Sequence, residues 1–150
     1  MKVEKIIKSK KPLPEKKKLV INMMLATTKA NTLVAESLKP FGISIQQFNV
    51  LRILRGQQGR PANLNTVQER MVNKMSNTTR LVDKLLEKKL VDRCICEENR
   101  RKVEIVITEK GLELLKELDP IVEEVENEIA VNLSPEEISN LNYLLEKIRE

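Results

Sequence analysis

The sequence predicts a mainly α-helical fold that carries a small two-stranded β-ribbon. Apolar residues recur every three to four positions through most of the 150-residue chain, which is the period of amphipathic helices. The period changes to two only around residues 90–107, as in a half-buried strand. Ser44 and Ser134 mark two helix starts, because Gln47 and Glu137 follow them at capping-box spacing.

The composition excludes several classes of protein. The chain has no His and only two cysteines, which removes His-dependent triads, His-ligated metal sites and a disulfide framework. Its two Phe and one Tyr are too few for the stacking platforms that bind single strands. No apolar run approaches the roughly 18 residues of a membrane span, and the lysine-rich start is unlike a secretory signal. We expect a cytoplasmic protein that is not an enzyme, with no cofactor, metal or membrane partner.

Charge is segregated along the chain, although the net charge is only +5. Residues 1–20 carry +6, residues 21–51 carry +1, residues 52–102 carry +7 and residues 103–150 carry −9. A basic middle followed by an acidic end indicates two surfaces with different roles. An uneven distribution of solvated charge over ordinary helices would give the same pattern. The sequence motifs are therefore needed to decide between these two interpretations.

The first half of the chain predicts a leader and two helices. Residues 1–14 form a basic leader with the composition of a mobile segment. A helix is expected over residues 15–40 and ends where Pro40 and Gly42 interrupt the pattern. The helix after the Ser44 capping box is apolar around most of its circumference, so it belongs at the centre of the domain.

Residues 41–111 have the element order of a winged helix-turn-helix. Two short helices are predicted over about residues 65–72 and 76–88, joined by a short turn. Strands follow over residues 90–96 and 103–107, with a polar tip between them.

The flanking helices are expected to form a homodimer. Thr108 can cap a further helix, in which Pro120 is expected to introduce a kink. Its apolar seam resembles that of a coiled coil and consists of Leu112, Leu115, Leu118, Val122, Val125 and Ile129. Because one small domain does not easily bury such stripes, residues 15–40 and 112–150 are interpreted as dimerisation helices.

Short polar residues and a basic residue begin the second short helix. A recognition helix needs this composition, because short side chains let the backbone approach the major groove of DNA. Asn77 and Arg80 are the expected base-reading residues, since Asn can read adenine and Arg can read guanine. The other candidates in this stretch are Ser76, Thr79 and Lys84 for phosphates, together with Thr78. Taken alone, the same residues also fit an ordinary capped surface helix.

The tip of the ribbon supplies a second set of candidates. It contains Asn99, Arg100, Arg101 and Lys102, and a narrow minor groove attracts arginine because its negative potential is concentrated. A solvated turn would contain similar residues, but helix and tip together favour binding to double-stranded DNA.

The chain resembles the MarR family of transcriptional regulators over about residues 15–148. The matching stretches are residues 48–54 for the family's second helix, 76–85 for its recognition helix, and 90–93, 99–101 and 107–111 for its wing. The resemblance implies a homodimeric, usually repressive regulator that binds a pseudo-palindromic operator, with the recognition helix in the major groove and the wing in the minor groove. Members often respond to a small ligand between the dimerising helices and the winged domain.

Two positions depart from the family pattern. Asn99 stands where the family usually has Asp, which would order the tip more strongly by pairing with an Arg. Lys89 stands where the family has Gly, and a left-handed backbone there would cost Lys roughly 1 kcal/mol or more.

Two other functions stay open. The winged helix could bind a protein partner without DNA, or Cys94 and Cys96, on one face of a strand, could form a thiol switch. Packing of two small side chains explains the cysteines more simply. Candidate linings for an effector site are Met23, Met24, Phe48 and Leu112, each equally explained as core, so no ligand residue is assigned.

Overall fold

The computed structural model describes residues 1–95, 98 and 102–150. These residues form seven α-helices and three β-strands. The helices are α1 (Val3–Ile6), α2 (Glu15–Leu38), α3 (Ile45–Gly56), α4 (Leu64–Arg70), α5 (Thr78–Glu87), α6 (Glu109–Ala130) and α7 (Pro135–Arg149). The strands are β1 (Ala62–Asn63), β2 (Val91–Ile95) and β3 (Val103–Ile107). Among the described residues, no helix is both long and apolar enough to cross a membrane.

Helix α3 lies at the centre of the core, as its apolar circumference predicts. Its buried residues are Phe48, Val50, Leu51 and Leu54. Leu38 from the end of α2 and Leu115 from α6 are fully buried in the same cluster. The winged domain and the first part of α6 therefore share one core.

The wing belongs to a three-stranded antiparallel sheet in the order β1-β3-β2. Strand β3 pairs with β2 from Val103 opposite Ile95 to Ile107 opposite Val91, and with β1 on its other edge. The mainly helical fold with a small sheet is confirmed, and the two residues of β1 are an addition to the predicted two-stranded ribbon. Ile105 is fully buried whereas Val103 is 41 % exposed, so the ribbon leaves the core toward its tip.

The local signals for helix starts are confirmed. Ser44 and Ser134 each form a complete capping box, and the Thr108 side chain accepts a hydrogen bond from the Gly111 N–H. Lys89 has a φ of 59°, so the left-handed backbone at this position is present although the residue is not Gly.

The apolar seam of α6 is largely covered within the chain, which corrects the basis of the dimer prediction. Leu115 and Leu118 are fully buried and Val122 and Val125 nearly so, because α6 packs against α2 and α3. Only the ends of the seam, Leu112 and Ile129, are partly exposed, by 42 % and 38 %. Helix α6 also runs on through Pro120 as one helix.

Candidate nucleic-acid interface

The second helix of the helix-turn-helix begins two residues later than predicted. It starts at Thr78, and Asn77 is its N-cap. The Asn77 Oδ1 accepts a hydrogen bond from the Arg80 N–H at 3.1 Å, whereas Ser76 still belongs to the turn, where its N–H bonds to the Asn73 carbonyl. Asn77 therefore has a structural role that the sequence prediction did not assign to it.

Helix α5 has a buried face and an exposed face. Thr78, Val82 and Leu85 are buried. The exposed residues are Thr79, Arg80, Asp83, Lys84 and Glu87. Three of the predicted DNA-contacting side chains, at positions 79, 80 and 84, thus lie on one open face.

Thr78 is placed in the interior, so it is removed from the set of candidate contacts. Its side chain is 6 % exposed, and its hydroxyl donates a hydrogen bond to the Oε1 of Gln68 on α4. The sequence analysis named it among the DNA-binding candidates of this stretch, but its hydroxyl is satisfied inside the protein.

Gln68 joins the two helices and the turn between them. Besides accepting from Thr78, its side-chain amide donates from Nε2 to the Lys74 carbonyl at 2.9 Å. The turn is also held by Asn49 of α3, whose Oδ1 accepts from the Val72 N–H at 2.9 Å. Gln68 and Asn49 are positioning residues that sequence reasoning missed, because neither belongs to a local motif.

Ser76 is half-buried beside the open face. Its hydroxyl oxygen is shielded from solvent and has no hydrogen-bond partner within the described part of the chain. It lies on a groove of about 390 Å³ that also contacts Asn77, Arg80 and Lys84. The groove runs along the start of α5, which is where a DNA backbone or base edge would approach.

The open face of α5 has a net positive charge near its start. Arg80 forms no ion pair with any other described residue, and Lys84 has only a loose contact of 3.5 Å with Glu87. Asp83 is neutralised by Arg93 of β2, whose Nη2 lies 2.6 Å from Oδ1. The two charges available to an anionic partner are therefore Arg80 and Lys84.

The other end of α5 is fixed by lysines. The Lys88 Nζ donates to the Gly42 carbonyl and, at 3.1 Å, to Oε1 of Gln47. The Nζ of Lys110 on α6 donates to the Lys88 carbonyl at 3.1 Å. A cation at a helix C-terminus is stabilising, and here it also ties α5 to the start of α6.

Most of the predicted wing site lies outside the described residues. This is so for Asn99, Arg100 and Arg101, as well as for Cys96. Lys102 is exposed immediately before β3. Cys94 is half-buried in β2, and the thiol switch that would involve Cys94 and Cys96 stays a prediction.

The residues named as linings of an effector site differ in their exposure. Phe48 is buried in the core, whereas Met24 and Leu112 are 64 % and 42 % exposed. A cavity of about 690 Å³ instead lies between α2, α3 and the turn before α5. Its lining includes Thr27, Asn31, Asn49, Met71, Asn73 and Lys74, so it is more polar than expected. Among the described residues, no cluster of Cys, Asp or Glu could hold a metal ion.

The fold and the open face of α5 define a winged helix-turn-helix transcriptional regulator. A family model described as the MarR family matches residues 43–103. The HTH-type transcriptional regulator TcaR of Staphylococcus aureus (strain Newman) is 31 % identical over 124 residues, which cover 79 % of this chain and 80 % of TcaR. The chain belongs to the MarR family.

Solved structures show the same fold. A cysteine-to-serine mutant of MarR from E. coli complexed with operator DNA is 26 % identical, with a TM-score of 0.78 over 87 % of this chain and 92 % of that one. BpsR of Bordetella bronchiseptica is 22 % identical, with a TM-score of 0.82 over 93 % of this chain and 99 % of its own. That structure concerns regulation of BpsR's DNA binding by 6-hydroxynicotinic acid.

Proposed function

We propose that this protein binds a pseudo-palindromic operator in double-stranded DNA as a homodimer and represses transcription from it. The observation that carries this proposal is the exposed face of α5, where Arg80 and Lys84 flank a groove at the start of the helix. A helix of this kind fits the major groove and presents its N-terminal residues to base edges. The MarR–operator complex, whose chain has the same fold, supports the assignment.

The candidate DNA-contacting residues in and just before α5 have distinct proposed roles. Arg80 reads a guanine, because its guanidinium forms no ion pair with the described residues and can donate two hydrogen bonds. Thr79 and Lys84 contact phosphates, Asn77 caps the helix while its amide NH₂ faces the DNA, and Ser76 meets the backbone at the groove. The wing candidates Asn99, Arg100, Arg101 and Lys102 contact the minor groove, as the sequence predicts.

The homodimer is supported by apolar surface that this chain leaves open. Within the described residues, α7 has no buried side chain, yet Leu141, Leu144 and Ile148 are 44–50 % exposed. Leu19 and Val20, near the start of α2, are similarly exposed. A second copy would cover these surfaces at both ends of the chain, and a symmetric dimer would present α5 twice to the half-sites of an operator.

An effector is proposed to bind the cavity between α2, α3 and the turn. The cavity contacts Asn49, the same side chain that holds the turn through the Val72 N–H. A small polar ligand that competes for this amide would change the orientation of α5 and release the operator. The protein needs no catalytic step for this action, and the proposed setting is the cytoplasm.

Salt-dependent DNA binding tests the proposed function. Operator candidates are selected from random duplex DNA, and their affinities are measured by fluorescence anisotropy at several salt concentrations. Lys84→Ala is expected to weaken binding to every duplex and to lower the salt slope by roughly one per lost phosphate contact. Arg80→Ala is expected to cost about 1–3 kcal/mol on the selected site and to relax one base preference.

The matched control is Lys116→Ala, which removes an equal charge from the exposed side of α6. It should leave both affinity and base preference close to those of the unmodified chain. If the dimer binds no duplex even at low salt, DNA binding is wrong, and a winged helix that contacts a protein partner becomes the better interpretation. If Arg80→Ala and Lys84→Ala affect all sequences equally, the assigned roles are wrong.

A further inference from the structure

The basic leader, residues 1–14, is folded against the start of α2, although its composition predicts a mobile segment. Val3 is 3 % exposed, and α1 packs against α2. Glu4 holds the segment together, since its carboxylate lies 3.2 Å from the Lys18 Nζ and its backbone carbonyl accepts from the Ser9 N–H. A backbone hydrogen bond at Glu4, followed by the bond from Lys18, lowers the pKa of this carboxyl, so it stays charged at neutral pH.

The surface formed by the leader and the first turn of α2 is cationic. Its exposed lysines are Lys2, Lys5, Lys8, Lys10, Lys11, Lys16 and Lys17. Of the eight lysines among the first 20 residues, only Lys18 forms an ion pair with another described residue. Ile6 and Ile7 are also 45 % and 42 % exposed, so the surface of the leader contains apolar and basic side chains together.

The two C-terminal helices, α6 and α7, have the opposite charge, and most of their acidic side chains form no ion pair with another described residue. Residues 103–150 carry −9. On α6 and α7, Asp119 is the one acid that forms an ion pair within the described part of the chain, with Arg55 at 2.8 Å. Glu126, Glu128 and Glu146 are among the exposed acids. Two complementary surfaces are therefore present that do not neutralise each other within one chain.

The leader lies at the end of α2 that is farther from the core of the winged domain. It joins the N-terminal end of α2, a helix of 24 residues whose other end, at Leu38, is buried in the core of the winged domain. At 1.5 Å per residue these ends are about 35 Å apart. Helices α6 and α7 offer a surface of opposite charge, and within the described chain no lysine of the leader forms an ion pair with them, so a second copy is the occupant that this charge complementarity fits.

We propose that the basic leader docks on the acidic C-terminal helices of a second copy of this chain. Lysines of the leader pair with glutamates of the other copy's α6 and α7, while Ile6 and Ile7 cover part of its apolar surface. This inference rests on the homodimer of the proposed function, and it adds a set of ion pairs between the two copies to that dimer. Because these ion pairs are exposed to solvent, dimerisation weakens as the salt concentration rises.

The test uses two charge-reversed full-length chains. The leader variant carries Lys5→Glu, Lys8→Glu and Lys11→Glu, and the tail variant carries Glu126→Lys, Glu128→Lys and Glu146→Lys. Sedimentation equilibrium is expected to show that each homodimer dissociates about tenfold or more readily at low salt, because attraction becomes repulsion at every pair. Mixing the variants restores opposite charges at both copies of the contact, so the heterodimer is expected to form as tightly as the unmodified homodimer.

The control variant carries Lys39→Glu, Arg60→Glu and Arg70→Glu, which make the same charge change on exposed positions outside the leader, α6 and α7. It should dimerise like the unmodified chain. Circular dichroism checks that all variants keep their helical content. If the leader variant does not fold, the milder Lys5→Gln, Lys8→Gln and Lys11→Gln chain is measured instead and should show a smaller loss in the same direction.

The outcomes separate the leader proposal from the homodimer on which it rests. A monomeric unmodified chain at micromolar concentration would overturn the homodimer. A dimer whose dissociation is the same in the leader variant would overturn the leader proposal alone. A leader variant that dimerises normally but binds DNA more weakly would also overturn it, and would assign these lysines to the operator.

Discussion

Nη2 of Arg93 lies 2.6 Å from Oδ1 of Asp83, so an ion pair joins the first strand of the wing to the open face of α5. Both side chains are about half exposed, at 54 % and 50 %, and exposed pairs of this kind contribute only about 0.2–1 kcal/mol to stability. The more important consequence is electrostatic. Asp83 neutralises a cation that would otherwise face an anionic partner together with Arg80 and Lys84.

Replacing Asp83 is expected to strengthen non-specific DNA binding. Asp83→Asn removes the negative charge and frees the Arg93 guanidinium, so the salt dependence of binding to random duplex should steepen by up to about one phosphate contact per protomer. Anisotropy titrations across a range of salt concentrations measure this slope. The double variant with Arg93→Ala should return the slope toward that of the unmodified chain, and an unchanged slope in Asp83→Asn alone would contradict the assignment.

Replacing Asn77 is expected to affect stability as well as base preference. Asn77→Ala removes the cap on the Arg80 N–H and should destabilise the fold by about 0.5–2 kcal/mol. Asn77→Ser keeps a capping oxygen and should retain most of the stability, while losing any contact that the amide makes with a base. Urea unfolding and site selection together separate the two roles. Equal stability loss in both variants would show that the cap is not the source of the effect.

Gln68 and Thr78 are expected to act as one unit. Gln68→Ala removes both hydrogen bonds of the amide and leaves the Thr78 hydroxyl buried without a partner, at a cost of about 1–3 kcal/mol. Thr78→Val should also destabilise, and the double variant should lose clearly less than the sum of the single losses. Thr79→Val, at the exposed neighbouring position, is the matched control and should be nearly neutral. Additive losses in the double variant would mean that the bond between Gln68 and Thr78 has no energetic role.

The sequence predicts the parts of this fold that are decided by neighbouring residues. The caps at Ser44, Thr108 and Ser134 are local, because a hydroxyl needs only the N–H groups of the following turn. The resemblance to a family that has Gly at position 89 raises the question of a left-handed backbone there, and the φ of 59° at Lys89 answers it. The two residues of β1 were missed, since a strand this short exists only through its pairing with β3.

Features that depend on distant parts of the chain were predicted incompletely. Periodicity predicted that the α6 seam is buried, but not that α2 and α3 of the same chain cover Leu115 and Leu118. Thr78 was named a DNA-binding candidate from the composition of its stretch, because nothing local shows that Gln68 receives its hydroxyl. The leader was predicted from its charge alone, whereas the burial of Val3 depends on its packing within the folded chain.

Gly111 is expected to be indispensable because two segments approach it closely. A Cβ at this position would lie 2.3 Å from the Leu90 carbonyl oxygen and 2.7 Å from Cγ1 of Ile107. The Leu90 oxygen already accepts from the Thr108 N–H at 3.1 Å, so it cannot move without breaking the junction between wing and α6. Gly111→Ala should therefore destabilise by about 1–3 kcal/mol or more, and at this chain length each kcal/mol lowers Tm by roughly 2–4 °C.

Gly56→Ala is the matched control for this steric argument. Gly56 ends α3, and a Cβ there would meet nothing within 4 Å. Ala restricts the unfolded chain more than Gly does, so the variant should be neutral or more stable by up to about 1 kcal/mol. Thermal unfolding followed by circular dichroism measures both variants. A Gly111→Ala chain that unfolds at the same temperature as the Gly56→Ala chain would show that the wing and α6 are joined more loosely than these distances require.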